Sequence, residues 1–103
     1  TCLAGARVLD VGGGPGFFAR AFEARGATYL MVDADAGELA GAVELGPRTV
    51  IASGLALPFA DGAVDVAFSS NVLEHVADPW AMAAEMLRVT RPGGTVFLSW
   101  TVW

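Results

Sequence analysis

The chain has 103 residues, 54% of them hydrophobic, and a formal net charge of −5. This length predicts one domain or part of one, and the acidic balance argues against a nucleic-acid partner held by phosphate contacts. No run of about 18 apolar residues is present, so we expect no membrane partner. Every basic residue is arginine and alanine is abundant, a composition typical of a high-GC bacterial genome.

The single cysteine, Cys2, predicts neither an internal disulfide nor a metal cluster. The first residues, TCLAGAR, lack the charged start and apolar core of a signal peptide. We therefore expect a cytoplasmic protein that needs no metal.

The first predicted element is a short apolar strand, Arg7–Val11, that contains an acid, Asp10, near its end. Four glycines and a proline follow at once: Gly12, Gly13, Gly14, Pro15 and Gly16. Helical spacing then covers Phe17–Arg25, and Gly26 occupies the usual C-terminal glycine position. Because glycine lets backbone approach a ligand closely, this strand, turn and helix start predict a ligand cradle.

Strands and helices continue to alternate along the chain. The patterns predict a strand over Thr28–Asp33, a helix over Asp35–Leu45, a strand over Arg48–Ser53 and, after the LPFADG loop, a strand over Val64–Ser70. A further helix begins at Asp78-Pro79, with Asp as N-cap and Pro at the first helical position.

Two apolar stripes at helical spacing mark this last helix, and we expect both to pack against the sheet: Met82 with Met86, and Trp80 with Leu87. The RPGG segment, Arg91–Gly94, predicts a turn that ends the helix, and Thr95–Trp103 predicts a fifth strand. Apolar strands that alternate with amphipathic helices indicate a doubly wound, mostly parallel, Rossmann-like α/β sheet with helices on both faces.

Neither end of the chain has the features of a complete protein. The chain starts at Thr1 without an initiator methionine, and the last predicted strand stops at Trp103 with nothing after it to cover the next edge. We therefore expect residues 1–103 to be part of a longer domain.

Two ligand classes fit the glycine turn. Counted from Gly14, GPGFFA fits the G-x-G-x-x-A pattern of dinucleotide-binding turns, and Asp33 lies nineteen residues on, where a ribose-binding acid is expected. Counted from Asp10, DVGGGPG is D-x-G-x-G-x-G, which resembles motif I of the class I S-adenosylmethionine-dependent methyltransferases. An acid at the end of the strand suits an ammonium and a sulfonium better than a pyrophosphate.

Other segments favour the methyltransferase family, in its small-molecule (type 11-like) branch. LPFADGAVDVAFSSNVLEHVADP, residues Leu57–Pro79, resembles the L-P-F-x-D segment, fourth strand and L-x-H-V of that branch, and RPGGTVFLS resembles its K-P-G-G turn into strand five. The resemblance implies methyl transfer to a small-molecule oxygen, nitrogen or carbon acceptor, with the family's C-terminal strands missing from this chain. A cofactor-binding but inactive module, or an NAD(P)-binding domain, are the alternatives.

The resemblance also implies roles for particular residues. Cofactor contacts would come from Asp10, Gly12, Gly13, Gly14, Gly16, Asp33, Ala34, Ser53, Gly54, Leu55, Ser70 and Asn71. Ser53 stands where many relatives carry an acid that accepts a hydrogen bond from the adenine amino group, so adenine contact would depend more on the backbone of Gly54 and Leu55. Val64 replaces an aromatic residue that the family favours.

His75, in LEHV, is the candidate catalytic base for the acceptor, since its unperturbed pKa lies near physiological pH. The alternative is that His75 packs against the following helix. Many methyl transfers need little acid–base help, because alignment of acceptor, methyl and sulfur supplies most of the catalysis.

Overall fold

Five parallel strands form one sheet in the computed structural model, which describes residues 3–12, 18–33, 48–70 and 78–99. The strands are β1 (Arg7–Val11), β2 (Thr28–Asp33), β3 (Arg48–Ile51), β4 (Val64–Ser70) and β5 (Thr90–Ser99), and the helices are α1 (Ala19–Glu23) and α2 (Pro79–Val89). β1, β2 and β4 have the predicted bounds. The predicted helix over Asp35–Leu45 lies outside the described residues.

The strand order is β3-β2-β1-β4-β5, and every neighbouring pair is parallel. Along the chain the sheet therefore grows from β1 towards β3 on one side and then resumes with β4 on the other side of β1. In open α/β sheets, ligands bind at such a reversal, beyond the carboxyl ends of the strands, which here are the ends of β1 and β4. The doubly wound fold predicted from the sequence is confirmed.

The two faces of the sheet are covered by different helices. On one face, Met82 and Met86 of α2 pack with Leu9, Val11, Val32 and Ala67. On the other face, Ala19 of α1 packs with Val8, Tyr29 and Met31. Successive residues of β1 alternate between the two faces, as the strand period of two requires.

The helix α1 is shorter than the predicted Phe17–Arg25. It spans Ala19–Glu23 and then tightens, because Gly26 N–H bonds to the Glu23 carbonyl at 3.0 Å and Ala27 N–H to the Phe22 carbonyl at 3.2 Å. These two bonds form a Schellman motif, and Gly26 has the positive φ of 84° that the motif needs. The predicted C-terminal glycine is thus confirmed.

The helix α2 begins as predicted, with the Asp78 carboxylate accepting a hydrogen bond from Ala81 N–H at 3.0 Å. Only one of its two apolar stripes is core. Met82 and Met86 are fully buried, whereas Trp80 is 84% and Leu87 64% exposed, so the prediction that these two pack against the sheet is wrong. Both stripes have helical spacing and lie on opposite sides of the helix, so periodicity alone does not distinguish them.

The predicted last residue of the third strand and the predicted first residue of the fifth strand are wrong. β3 ends at Ile51 rather than Ser53, because its partner β2 ends at Asp33, opposite Ile51. β5 begins at Thr90, directly after α2, and the predicted turn Arg91–Gly94 lies within it. Residues 100–103 of the predicted strand lie outside the described part of the chain.

The RPGG segment forms an irregularity within the β4–β5 ladder. Val64 pairs with Thr90 and Val66 with Thr95, so β5 has extra residues between two consecutive ladder positions. Gly93 adopts a φ of 83°, and a Cβ on Gly94 would lie 2.5 Å from the Asp65 carbonyl oxygen and 2.7 Å from Thr90 Cγ2. The two glycines are therefore required for different reasons, one by its dihedral angle and the other by close packing.

Among the described residues, no helix has both the length and the apolar character needed to cross a bilayer.

We expect Gly94→Ala to lower the free energy of unfolding by about 1–3 kcal/mol, because the new methyl group would overlap the backbone of β4. Gly93→Asn is the matched control, since asparagine tolerates a positive φ and should cost less than about 1 kcal/mol. Urea unfolding of both variants measures the difference. Equal stability of Gly94→Ala and the wild type would contradict the close packing.

Candidate functional site

The carboxyl edge of the sheet brings together the predicted ligand-binding residues that the structure describes. These are Asp10 and Gly12 of β1 and its turn, Asp33 at the end of β2, Ser53, Gly54 and Leu55 after β3, and Ser70 at the end of β4. Gly13, Gly14, Gly16, Ala34, Asn71 and His75 lie outside the described residues. Their predicted roles stay predictions.

Gly12 begins the turn after β1. Its φ is 74°, and its N–H donates to the Val32 carbonyl oxygen of β2 at 2.6 Å. The bond extends the β1–β2 ladder by one residue, and the positive φ then takes the chain out of the strand direction. A residue with a Cβ would be strained at this φ, which explains the glycine at this position.

Asp10 is a buried acid, only 1% exposed, two residues before this turn. Its Oδ2 accepts a hydrogen bond from the hydroxyl of Tyr29, a residue of β2 that is itself 2% exposed. Burial raises the pKa of Asp10 to about 6, the Tyr29 hydrogen bond opposes that rise, and the negative charge of Asp33 adds to it. At neutral pH the Asp10 carboxyl is therefore mainly ionised, but it gains a proton on mild acidification.

Asp33 ends β2 beside this turn. It pairs with Ile51 across the ladder, and its carbonyl oxygen accepts a hydrogen bond from Ala52 N–H at 3.1 Å. Because the charge of Asp33 influences Asp10, the ends of β1 and β2 place two carboxylates within electrostatic reach of each other. Such a pair favours a ligand that carries positive charge or hydroxyl donors.

The segment Ser53–Leu55 lies beside the end of β1, on the α2 face. Ser53 Oγ accepts a hydrogen bond from Leu55 N–H at 3.1 Å, which closes a tight turn. A Cβ on Gly54 would lie 3.1 Å from Val11 Cγ1 and 3.6 Å from Met82 Sδ. The segment thus packs closely on the sheet, and the Leu55 N–H already has a partner within it.

Two side chains of α2 hold the loop that follows this segment. Glu85 Oε1 accepts a hydrogen bond from Leu57 N–H at 2.8 Å, while Arg88 donates to the carbonyl oxygens of Leu57 at 2.9 Å and Phe59 at 2.8 Å. Arg88 also bonds to Glu85 and to Asp61, and this contact with Arg88 holds the pKa of Glu85 below its usual range.

The contacts of Glu85, Arg88 and Tyr29 were not predicted from the sequence. The spacing of Glu85 and Arg88, three residues apart, indicates only that they are neighbours on a helix. This spacing does not indicate that Glu85 and Arg88 bond to the backbone of the loop.

Ser70 ends β4 opposite Ser99, and its side chain is half-buried. The preceding Ser69 is 1% exposed, and its hydroxyl oxygen has no hydrogen-bond partner. Because strand side chains alternate, Ser69 and Ser70 face opposite sides of the sheet. Ser70 shares its side with Phe68, the residue that pairs with Asp10.

The amino ends of the strands have a different charge pattern from the carboxyl ends. Asp65, at the start of β4, bonds to Arg7 and to Arg91, and the Arg7 backbone N–H and the Arg91 guanidinium lower its pKa. A cleft of about 360 Å³ lies here, lined by residues 3–6 and by Asp65, Arg91 and their neighbours. Among the described residues, the arginines of the strands are Arg7, Arg48 and Arg91. They lie at or next to the amino ends of β1, β3 and β5, whereas Asp10 and Asp33 lie towards the carboxyl ends of β1 and β2.

Within the part of the chain that the structure describes, no three His, Cys, Asp or Glu side chains are grouped closely enough to hold a metal ion.

Comparison with known sequences gives consistent matches. A family described as a methyltransferase domain matches residues 9–98. An uncharacterized methyltransferase of Mycobacterium sp. (strain KMS) is 62% identical over 105 residues, which cover all of this chain and 42% of that relative. The chain therefore spans less than half the length of this curated relative.

Solved structures share the fold. A S-adenosylmethionine-dependent methyltransferase from Mesorhizobium loti is 31% identical with a TM-score of 0.82, and the match covers 92% of this chain and 47% of that one. The [4+2]-cyclase SpnF is 28% identical with a TM-score of 0.83, over 90% of this chain and 38% of that one.

The raised pKa of Asp10 predicts that Asp10→Asn stabilises the protein at neutral and higher pH. Above pH 6 the native state must keep a buried charge, so we expect a gain of at most about 3 kcal/mol, since two pH units correspond to that energy. Below pH 6 the native wild type binds a proton that the unfolded chain does not, and the gain should shrink to zero near pH 4. Urea unfolding between pH 4 and 8 measures the trend, and a variant less stable than the wild type at pH 8 would contradict it.

Proposed function

This chain belongs to the methyltransferase-domain family of class I S-adenosylmethionine-dependent methyltransferases, and we propose that it supplies the cofactor-binding part of an enzyme that methylates a small-molecule acceptor. The observation that carries the proposal is the buried carboxylate of Asp10 two residues before the Gly12 turn, with Asp33 within electrostatic reach. This arrangement is suited to a cationic ligand bound against glycine backbone.

The charges favour the methionine part of S-adenosylmethionine over a pyrophosphate. Asp10 would attract the ammonium group, whereas a pyrophosphate next to Asp10 and Asp33 would be repelled. A dinucleotide would need cations that neutralise its pyrophosphate, and the arginines of the strands lie at or next to the amino ends of those strands, not at the carboxyl ends. We assign Gly12 and the glycines after it, Gly13, Gly14 and Gly16, to the backbone that approaches the methionine part.

The remaining groups suit the adenosine part. Asp33, at the end of β2, would accept hydrogen bonds from the ribose hydroxyls. Gly54 lets its segment pack directly against Val11 and Met82, and we assign the backbone of that segment to the adenine ring. Ser53 provides a hydroxyl in place of an acid, and Leu55 and Ala34 would line the ring. We assign Ser70 and Asn71 to the cofactor's ammonium side and the edge of the acceptor site.

When bound, S-adenosylmethionine supplies a methyl group on a sulfonium sulfur, and the neutral thioether of S-adenosylhomocysteine is the good leaving group. The chain's own contribution would be to align the cofactor with an acceptor and exclude water. His75 stays a candidate base, and a cytoplasmic location stays a prediction.

The [4+2]-cyclase among the similar structures is named for a reaction other than methyl transfer. It supports the alternative in which this chain is a cofactor-binding module that transfers no methyl group. In that case the full-length protein would bind the cofactor without releasing S-adenosylhomocysteine. An assay of homocysteine formation from the released product, over a panel of hydroxyl, amine and carbon acceptors, distinguishes the two functions.

We expect S-adenosylhomocysteine to raise the Tm of the full-length protein, because a ligand that binds only the folded state stabilises it by mass action. NAD and NADP at the same concentration should leave the Tm unchanged. Thermal unfolding with each compound measures this. Stabilisation by NAD or NADP alone would refute the proposed cofactor and favour the dinucleotide alternative.

We expect Asp33→Ala to weaken S-adenosylhomocysteine binding about ten- to a hundredfold, since a carboxylate that accepts two hydroxyl hydrogen bonds contributes about 1.5–3 kcal/mol. Asp61→Ala is the matched control, because it removes the same charge from an exposed site on the Arg88 side of the loop. Calorimetry gives both dissociation constants. Wild-type affinity in a folded Asp33→Ala variant would exclude Asp33 from the ribose site.

A further inference from the structure

Tyr29, a residue of β2, places its side chain against the proposed ammonium-binding acid, Asp10. Its hydroxyl donates to Asp10 Oδ2, and both side chains are almost fully buried. Tyr29 is not opposite Asp10 in the ladder, since Val8 pairs with Tyr29 and Asp10 with Met31. The contact is therefore diagonal across two strands, a distance that an aromatic side chain can span.

Packing holds the tyrosine in this place. Phe22 of α1 stacks on its ring with a centroid distance of 5.8 Å, and Phe68 of β4 contacts Phe22 edge-on at 5.3 Å. The tyrosine ring is thus fixed between α1 and the sheet. Its only polar atom is directed to Asp10.

Burial and nearby charges affect the ionisation of both Asp10 and Tyr29. Burial and the charge of Asp33 favour its protonated form, and the hydrogen bond from Tyr29 favours the carboxylate. Burial, then the charge of Asp10 and more weakly that of Glu23, raise the pKa of Tyr29, so the hydroxyl keeps its proton and stays a donor. On the β4 side, the residue paired with Asp10 is the uncharged Phe68.

We propose that Tyr29 is a positioning residue of the cofactor site: its hydroxyl holds Asp10 in one orientation, as a carboxylate, for the ammonium group of the ligand. The ligand's ammonium group would reach this carboxylate directly or through water. The inference rests on the proposed function, because it assigns Asp10 to S-adenosylmethionine.

The test uses the full-length protein and calorimetry with S-adenosylhomocysteine between pH 5 and 7, where the ligand's ammonium group stays charged. For the wild type we expect affinity to rise with pH as Asp10 ionises. Tyr29→Phe should weaken binding about five- to twentyfold at pH 7 and move the midpoint of this rise to higher pH, since the variant loses a bond to the charged form.

Two further variants separate positioning from packing. On an Asp10→Asn background, Tyr29→Phe should change affinity less than twofold, because there is no charge left to hold. Phe22→Leu should lower the Tm through lost stacking but leave the pH midpoint of binding in place. An unchanged midpoint in Tyr29→Phe, or an equal loss of affinity with and without Asp10, would overturn the proposal.

An NMR titration of the Asp10 carboxyl in the ligand-free protein keeps this proposal distinct from the proposed function. If the wild type fails to bind S-adenosylhomocysteine at every pH, the proposed function fails and this inference falls with it, whatever the titration shows. If the wild type binds and Tyr29→Phe raises the carboxyl's pKa without weakening binding, the proposed function survives and the role of Tyr29 is refuted.

Discussion

Hydrogen bonding of β1 to parallel strands on both sides is the constraint on which the site depends. β2 pairs with one edge of β1 and β4 with the other, so the chain must reverse its direction of winding at β1. In open α/β sheets, such a reversal marks the ligand-binding crevice at the carboxyl end of the central strand. Asp10 and Gly12 therefore lie at the crevice, and the ends of β2 and β4 lie on either side of it.

A buried carboxylate at this place lowers the stability of the folded protein, and a bound cation would offset part of that loss. Removing Asp10 from water disfavours its charged form, and the Tyr29 hydroxyl offsets part of that penalty. A cationic group bound at the crevice would offset more. Stability alone would favour a neutral residue at this position in the central strand, so the buried acid agrees with the binding role that we propose for Asp10.

On the α2 face of the sheet, the helix holds the loop between β3 and β4 in place. Loop backbone between β3 and β4 bonds to Glu85 and Arg88, so a segment without helix or strand structure is held at several points along its length. At the start of the same loop, Gly54 packs against Val11 and Met82. The position of the Ser53–Leu55 turn beside the end of β1 is thus determined by the same helix that packs on this face of the sheet.

Much of the fold was predictable from the sequence because its signals are local. The apolar runs of β1, β2 and β4, the glycine that ends α1 and the Asp-Pro start of α2 each follow from the conformational preferences of adjacent residues. The alternation of strands and helices then indicates a parallel sheet, and the glycine turn after Asp10 predicts which strand end would bind a ligand.

Other features depend on contacts between distant residues, so only the tertiary structure decided them. Two stripes on α2 have the same spacing, and the sheet buries Met82 and Met86 while leaving Trp80 exposed. The RPGG segment has turn residues, yet pairing with β4 includes it in β5. The bond from Tyr29 to Asp10 spans nineteen residues of sequence and two strands, and no local pattern encodes it, because it depends on the register of the β1–β2 ladder.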